Sequence, residues 1–511
     1  MLAVARACEV LGLQGCIVNV EVDFNPRAGI PSFTLVGLPD NAVKESRERV
    51  RASIKNSNLQ FPSKGYLVNL SPADMPKHSS GYDLAIAVGA LAATDQIPLA
   101  GLDDAMFVGE LSLDGSLRHV SGVLAMAWAA REHGLKRIYV APEDAPQAAL
   151  IDGIDVYPVP TLGHLVEHLY NLNPIPEFDR ATLTFDTTPP QGMTDFAEIR
   201  GQEVIKRALE IAAAGNHNIL MSGAPGSGKT LLARALPGIM PRLSFDEALE
   251  VTRIYSVADL LAADQPMVRE RPFRAPHYTV SQAGLVGGGS IPKPGEVTLA
   301  HRGVLFLDEA AEFAGKTLEV LRQPIEDRIV TISRARGSLT YPANFLLVMA
   351  MNPCPCGYLG DPVKACTCNP QLIQRYQSRL SGPLLDRIEL YMDVRRVEYD
   401  KLFSGEKSEP SADIRARVEA ARERQRARFV ATPALLANAD MGISDIDRYC
   451  VLKSDAKDLL DTAVKRLNLS ARVYHRILKV SRTIADIADC ERIELPHVAE
   501  AVQYRQRQPA Y

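Results

Sequence analysis

The chain has 511 residues, 46% of them hydrophobic and 23% charged, with a formal net charge of −4, as expected of a globular protein of roughly three domains at about 150 residues each. The balance excludes a globally basic nucleic-acid binder, so any contact with DNA has to come from local basic surface. No apolar run reaches the length of a membrane span, and Glu9, Glu21 and Asp23 stand where a signal peptide stays apolar, so a cytoplasmic protein is expected, with no membrane partner.

In chain order, Met1 to about Tyr170 alternates strand-like stretches (GCIVNVEVDF, SFTLVGL, YLVNLSP) with helix-like ones (AVKESRERVRASI, DLAIAVGALAAT), which predicts one α/β unit over 1–170. Residues 171–195 carry Pro174, Pro176, Pro189 and Pro190 with little periodicity and read as a linker. A second α/β unit is expected over 196–397. Past FSGEKSEPSAD only helical patterns follow, so 398–511 reads as a helical domain, and its stretch DIRARVEAARERQRARF carries six arginines between Arg415 and Arg428.

The second unit holds the clearest chemistry. NILMSGAPGSGKTLLARAL puts a predicted strand, 218–222, before Gly223-Ala224-Pro225-Gly226-Ser227-Gly228-Lys229-Thr230 and a helix after it. This is the phosphate-binding pattern in its strand–loop–helix setting, where backbone amides wrap a β-phosphate at a helix N-terminus. Lys229 is expected to reach the β and γ phosphates, and the Thr230 hydroxyl to bind magnesium. Further on, GVLFLDEAAEF is an apolar strand delivering Asp308 and Glu309 to the rim of a parallel sheet. Asp308 is expected in the magnesium shell and Glu309 against the attacking water. The strand FLLVMAMN ends in Asn352, placed to orient that water or, alternatively, to form the turn before Pro353.

Directly after Asn352 come Cys354-x-Cys356 and Cys366-x-Cys368, two close pairs bracketing a loop. Four thiolates suffice for one tetrahedral zinc, although the spacing is tighter than C-x-x-C; reduced structural thiols and a disulfide switch are the alternatives. Eight cysteines with half of them in this loop do not resemble a secreted disulfide framework. In SRLSGPLLDRIEL, Arg387 lies between a helical segment and a strand and suits an arginine finger, with Arg375 and Arg379 as rivals. Arg472 falls in the first turn of a helix opened by Ser470, where the helix dipole disfavours a cation unless an anionic partner is near; a solvated surface arginine is the alternative.

Together, GAPGSGKT, GVLFLDE, MNPCPCG, SGPLLDRIEL and SARVYHRILKVSRTIADI resemble the magnesium-chelatase-like AAA+ branch, specifically the bacterial ComM/YifB family, over essentially the whole chain. The resemblance implies an α/β fold in three parts: a Lon-protease-like N-terminal domain, an AAA+ P-loop parallel-sheet ATPase core and a C-terminal helical lid. It also implies ATP and Mg2+ as cofactors and a homo-oligomeric ring, usually a hexamer. The ring would move single-stranded or branched DNA, as a branch-migration helicase does when incoming DNA is integrated during natural transformation or recombination. Lys229, Glu309, Asn352, Arg387 and Arg472 would be its catalytic residues. Lys293, in a Gly-rich stretch resembling the helix-2 insert, and Arg334 and Arg336, at the turn of a hairpin resembling the pre-sensor hairpin, would contact DNA in the pore. A chelatase-like protein remodeller without DNA translocation is the alternative function. An ATP-dependent protease is disfavoured: Ser79 and Ser80 lie near the matching loop, but residues 116–135 contain no lysine to activate a serine.

Overall fold

A computed structural model describes residues 1–183, 194–262, 265–289, 292–334, 337–396, 408–432 and 435–505. They form two units: Met1–Asp186 with Phe245–Arg269, and Thr187–Ser244 with Glu270–Tyr511.

In the first unit, alternation of apolar and polar residues produces a four-stranded sheet in the order Leu2–Leu11, Gln14–Asn25, Gly65–Ser71, Ser32–Val36, antiparallel except for the last pair. The strand Leu2–Leu11 is absent from the sequence reading because its inward positions are Ala3, Ala5 and Ala7, all buried but weak strand formers. After Asp83, helix Asp83–Ala93 is apolar all round, and it is buried along its whole length. It approaches the sheet so closely that a Cβ on Gly89 would lie 2.6 Å from Val22. Asp83, which opens this helix, is fully buried but satisfied: Arg49 donates to it twice, at 2.7 and 3.1 Å, and Leu111 N–H once, at 3.2 Å. A second, parallel sheet of Ala105–Phe107, Arg137–Val140 and Asp155–Pro158 stacks Phe107, Tyr139 and Tyr157 with centroids 4.9 and 5.1 Å apart. Near the serines, Ser79 Oγ accepts from Gly81 N–H, and the ammonium of buried Lys77 is held by the Pro72 carbonyl.

Two segments depart from the domain borders read from sequence. Part of the proline-rich stretch is bonded to the first unit, with Phe178 N–H donating to Val156 O at 2.8 Å and Ile175 buried. Phe245–Arg269, inside the span expected to form the ATPase core, also belongs to that unit. Its helix Phe245–Val257 packs on helix Val123–Glu132, Gly122 N–H donates to Ser256 O at 3.1 Å, and Ser256 Oγ donates to Gln147 at 2.6 Å.

The same segment supplies Asp259, which sits 3.1 Å from His119 Nε2, while Nδ1 is held by Asp144 and the His119 N–H by Glu143. The hydrogen bond to Asp144 outweighs burial and lifts the imidazole from 6.5 to about 9. A raised pKa means the contact contributes fully below about pH 6.5 and is lost as pH rises through about 9. The melting advantage of wild type over His119→Gln should therefore be largest below about pH 6.5, as long as the Asp144 carboxyl, pushed up by burial, stays ionised, and vanish in alkali. It should be worth roughly 1 kcal/mol, because the side chain is 43% exposed and solvent screens it. An advantage independent of pH would show that the contact is not ionic.

The second unit is built on five parallel strands in the order Phe273–Arg274, Val304–Leu307, Leu346–Met351, Ile219–Gly223, Leu390–Val394. Val304–Leu307 and Leu346–Met351 are buried at every position, the continuous apolar pattern of a sheet covered on both faces. Helices Glu203–Gly215, Lys229–Ala235, Ser411–Phe429 and Ala471–Ile487 share one apolar core with these strands. Inside it, fully buried Asp486 accepts from Arg428, from Arg482 at 3.1 Å and from Asn438 at 2.8 Å, so no charge there is left alone.

Candidate nucleotide site

Parallel strands bring their carboxyl ends to one edge, and here that edge collects the motifs. The strand Leu346–Met351, which leads to Asn352, lies between the one leading to Gly223 and the one leading to Asp308. Gly226 and Gly228 take left-handed φ values of 75° and 93°, with open space where a Cβ would stand. Backbone amides are thus left clear around a cradle that a side chain would fill.

Lys229 is buried, and its ammonium donates to the carbonyls of Gly223 at 2.7 Å and Ala224 at 3.0 Å and to Asn352 Oδ1 at 3.4 Å. Burial pulls its pKa below the ordinary lysine value, while Asp308 and Glu309 act the other way. A cation in so dry a cradle is poised for an anionic ligand. Ser227 Oγ, in the same loop, is buried with no hydrogen-bond partner among the described residues. Thr230 Oγ1 donates to Asp308 Oδ2 at 2.7 Å, so a hydroxyl and a carboxylate converge as a small hard cation needs. The open cradle, the orphan hydroxyl and this oxygen pair fit a magnesium nucleotide.

Glu309 is exposed beside them, in the left-handed region at φ 51°. Gly357, in the cysteine loop, also sits at the cradle: a Cβ on it would lie 2.5 Å from Pro225 Cδ.

The family models "Magnesium chelatase, subunit ChlI" at residues 195–402, "Subunit ChlI of Mg-chelatase" at 20–144 and "Magnesium chelatase, subunit ChlI C-terminal" at 408–505 match the chain. Competence protein ComM of Haemophilus influenzae is 42% identical over 99% of this chain and 97% of its own length, as is the uncharacterized protein YifB of Salmonella typhimurium. The chain belongs to the ComM/YifB family of magnesium-chelatase-like proteins. A partial likeness, 31% identity over 27% of this chain and 26% of the relative, links it to Lon protease 2 of Bacillus subtilis. The ComM/YifB assignment agrees with the resemblance carried by the motifs. The fold follows it as a mixed α/β protein with a parallel-strand core and a helical C-terminal region.

The two arginines expected to act on nucleotide lie together, away from the cradle residues in their hydrogen bonding. Arg387 donates to Pro383 O at 2.7 Å and pairs with Glu326. Arg472 is exposed and pairs with Asp386 at 3.1 Å. Of the rivals, Arg379 is bonded to Ala311 O and Glu312, and Arg375 lies in the last turn of helix Pro370–Gln377.

Lys293 is exposed and pairs through its backbone with Gly288. The hairpin Ile329–Arg334 and Gly337–Pro342 forms as expected, with Arg334 opposite Gly337; the Arg334 side chain and all of Arg336 lie outside the described residues. The two inserts touch: Tyr341 Oη donates to Pro292 O at 2.8 Å. The four cysteines also meet, each offering a sulfur within 4.8 Å of the others. No described helix is long and apolar enough to cross a membrane.

Three further residues, not apparent from sequence, support this site. Gln202, at φ 62°, reaches Ser227 O at 3.4 Å and Arg395 O at 2.5 Å. Asn218 holds the turn of Arg387, donating to its carbonyl at 2.9 Å, and Arg476 donates to Ile388 O at 2.6 Å. The GQE before the first core helix and the asparagine directly before the phosphate-loop strand were visible, but not their partners.

Proposed function

We propose that this protein is an ATPase of the AAA+ type that works in the cytoplasm as a hexameric ring and drives DNA, with branch migration during natural transformation or recombination as its task. The observation that carries the ATPase part is the constellation of Lys229 on Asn352 and Thr230 on Asp308 at one sheet edge. In this reading the amides of residues 223–230 and Lys229 hold the ATP phosphates, and Thr230 and Asp308 hold the magnesium ion. When bound, that ion neutralises charge on the β and γ oxygens. Glu309 takes a proton from the attacking water, Asn352 orients that water, and Arg387 and Arg472 stabilise charge on the transferring phosphate. Zinc on the four cysteine thiolates is the second metal of this reading.

The DNA part is supported by the name of the competence relative. The contact between the insert carrying exposed Lys293 and the hairpin of Arg334 and Arg336 adds to it. Basic loops of this kind track phosphates without reading bases. The test is ATP turnover with and without single-stranded or branched DNA, together with an ATP-dependent branch-migration assay. Stimulation and strand exchange are expected. Replacing Arg334 and Arg336 by alanine should weaken DNA binding and lower the salt slope by about 2. Turnover indifferent to every DNA would favour a chelatase-like remodeller instead.

A further inference from the structure

Four thiols crowded within 4.8 Å of one another are an unusual neighbour for a phosphate loop. Sγ of Cys354 lies 3.3 Å from that of Cys356 and 3.6 Å from that of Cys366, and Cys356 and Cys366 are 3.6 Å apart. All four cysteines are free, whereas a disulfide needs sulfurs about 2.05 Å apart. Sulfurs at the corners of a zinc tetrahedron, with Zn–S near 2.3 Å, stand about 3.8 Å apart. The observed spacings are close to that edge. Thiolates this near one another repel, and a soft divalent cation among them removes the repulsion.

The loop between the pairs is ordered by its own contacts. Asp361 Oδ1 accepts from Val363 N–H at 2.8 Å and Lys364 N–H at 2.9 Å, and Arg396 pairs with Asp361 at 2.9 Å. Its N-terminal end turns at Gly357, whose N–H donates to Cys354 O at 2.9 Å and whose φ of 84° favours glycine. This turn is pressed against the nucleotide cradle. A Cβ on Gly357 would meet Pro225 Cδ at 2.5 Å, Pro225 Cγ at 2.8 Å and Asn352 Cγ at 3.9 Å. One small residue, set one position after a cysteine, thus backs both the phosphate loop and the partner of Lys229.

We propose that Cys354, Cys356, Cys366 and Cys368 hold a zinc ion whose task is to brace the phosphate loop through Gly357. The ion does no chemistry on nucleotide. It fixes the turn 354–357, so Pro225 and Asn352 keep the positions in which Lys229 is held. The proposal rests on the assignment of residues 223–230 as the nucleotide cradle.

The test uses full-length protein purified under reducing conditions without chelator, with metal analysis and titration of a fluorescent ADP analogue as readouts. About one zinc per chain is expected. Cys366→Ser with Cys368→Ser should lose the metal and weaken analogue binding about tenfold, and Gly357→Ala should keep the metal yet weaken binding comparably, because the added methyl displaces Pro225. The second variant decides the matter if the first does not fold, as judged by circular dichroism. Zinc near zero, or iron in its place, overturns the metal assignment. Wild-type affinity in folded, metal-free protein or in Gly357→Ala overturns the brace. Failure of the nucleotide site itself would look different: Lys229→Ala, with zinc retained, would then bind the analogue like wild type.

Discussion

Glu309→Gln should bind ATP with near wild-type affinity and lose about 10² to 10⁴ of its turnover, the range that a positioned general base supplies. The geometry separates the two effects. Asp308 is already committed, with one oxygen accepting from Thr230 at 2.7 Å and the other from the Glu309 N–H at 3.0 Å. Glu309 itself is exposed, and no hydrogen bond reaches its carboxylate among the described residues. Its backbone is held at φ 51°, which a residue with a side chain adopts at a cost of about 1 kcal/mol or more. Such strain persists only where the surroundings impose it, and here it falls on the residue that follows Asp308 at the strand end. Glutamine keeps size and shape but cannot take a proton, so the cradle formed by Lys229 and residues 223–230 is untouched. Single-turnover hydrolysis and nucleotide titration on the same preparation check the split. Near-normal hydrolysis would remove Glu309 from the reaction, and loss of binding would show that it shapes the cradle instead.

What could be read from the sequence was what lies close together in it. The phosphate loop, the acidic strand end and Asn352 each sit in a short local pattern, and the parallel sheet then has little choice but to bring them to one edge. The hairpin over 329–342 and the helix opened by Ser470 were legible for the same reason. Contacts over long sequence separations were not. Gly357 meets Pro225, Tyr341 meets Pro292, and Asn218 holds the carbonyl of Arg387, yet no periodicity connects the members of any pair. Phe245–Arg269 shows the limit most clearly. Its helix looks like any amphipathic piece of the ATPase core, and only its packing on Val123–Glu132 reveals that it belongs with the first unit.

Arg387→Ala should leave nucleotide binding by isolated protomers intact and lower ring ATPase by about 10³ to 10⁵, the usual worth of an arginine finger. Within its own chain the Arg387 guanidinium donates to Pro383 O and pairs with Glu326. The turn that carries it is nevertheless fixed with care. Asn218, directly before the phosphate-loop strand, donates to the Arg387 carbonyl at 2.9 Å, and Arg476 donates to Ile388 O at 2.6 Å and pairs with Asp386 at 3.5 Å. Asp386 also pairs with Arg472 at 3.1 Å, so both expected arginines ride on one braced assembly. A group so placed can act if a neighbouring protomer presents its nucleotide to it, exchanging the weak, exposed Glu326 carboxylate for phosphate oxygens. Action in trans predicts complementation. Lys229→Ala subunits have a disabled cradle and an intact finger, and Arg387→Ala subunits have the reverse. In a random equimolar ring about a quarter of the interfaces then join an intact cradle to an intact finger, whereas neither variant alone has any. ATPase in the mixture should rise well above both parents, and fall back when either variant is in large excess. If mixed rings are demonstrated by mass and activity still fails to recover, Arg387 acts on its own protomer or on none.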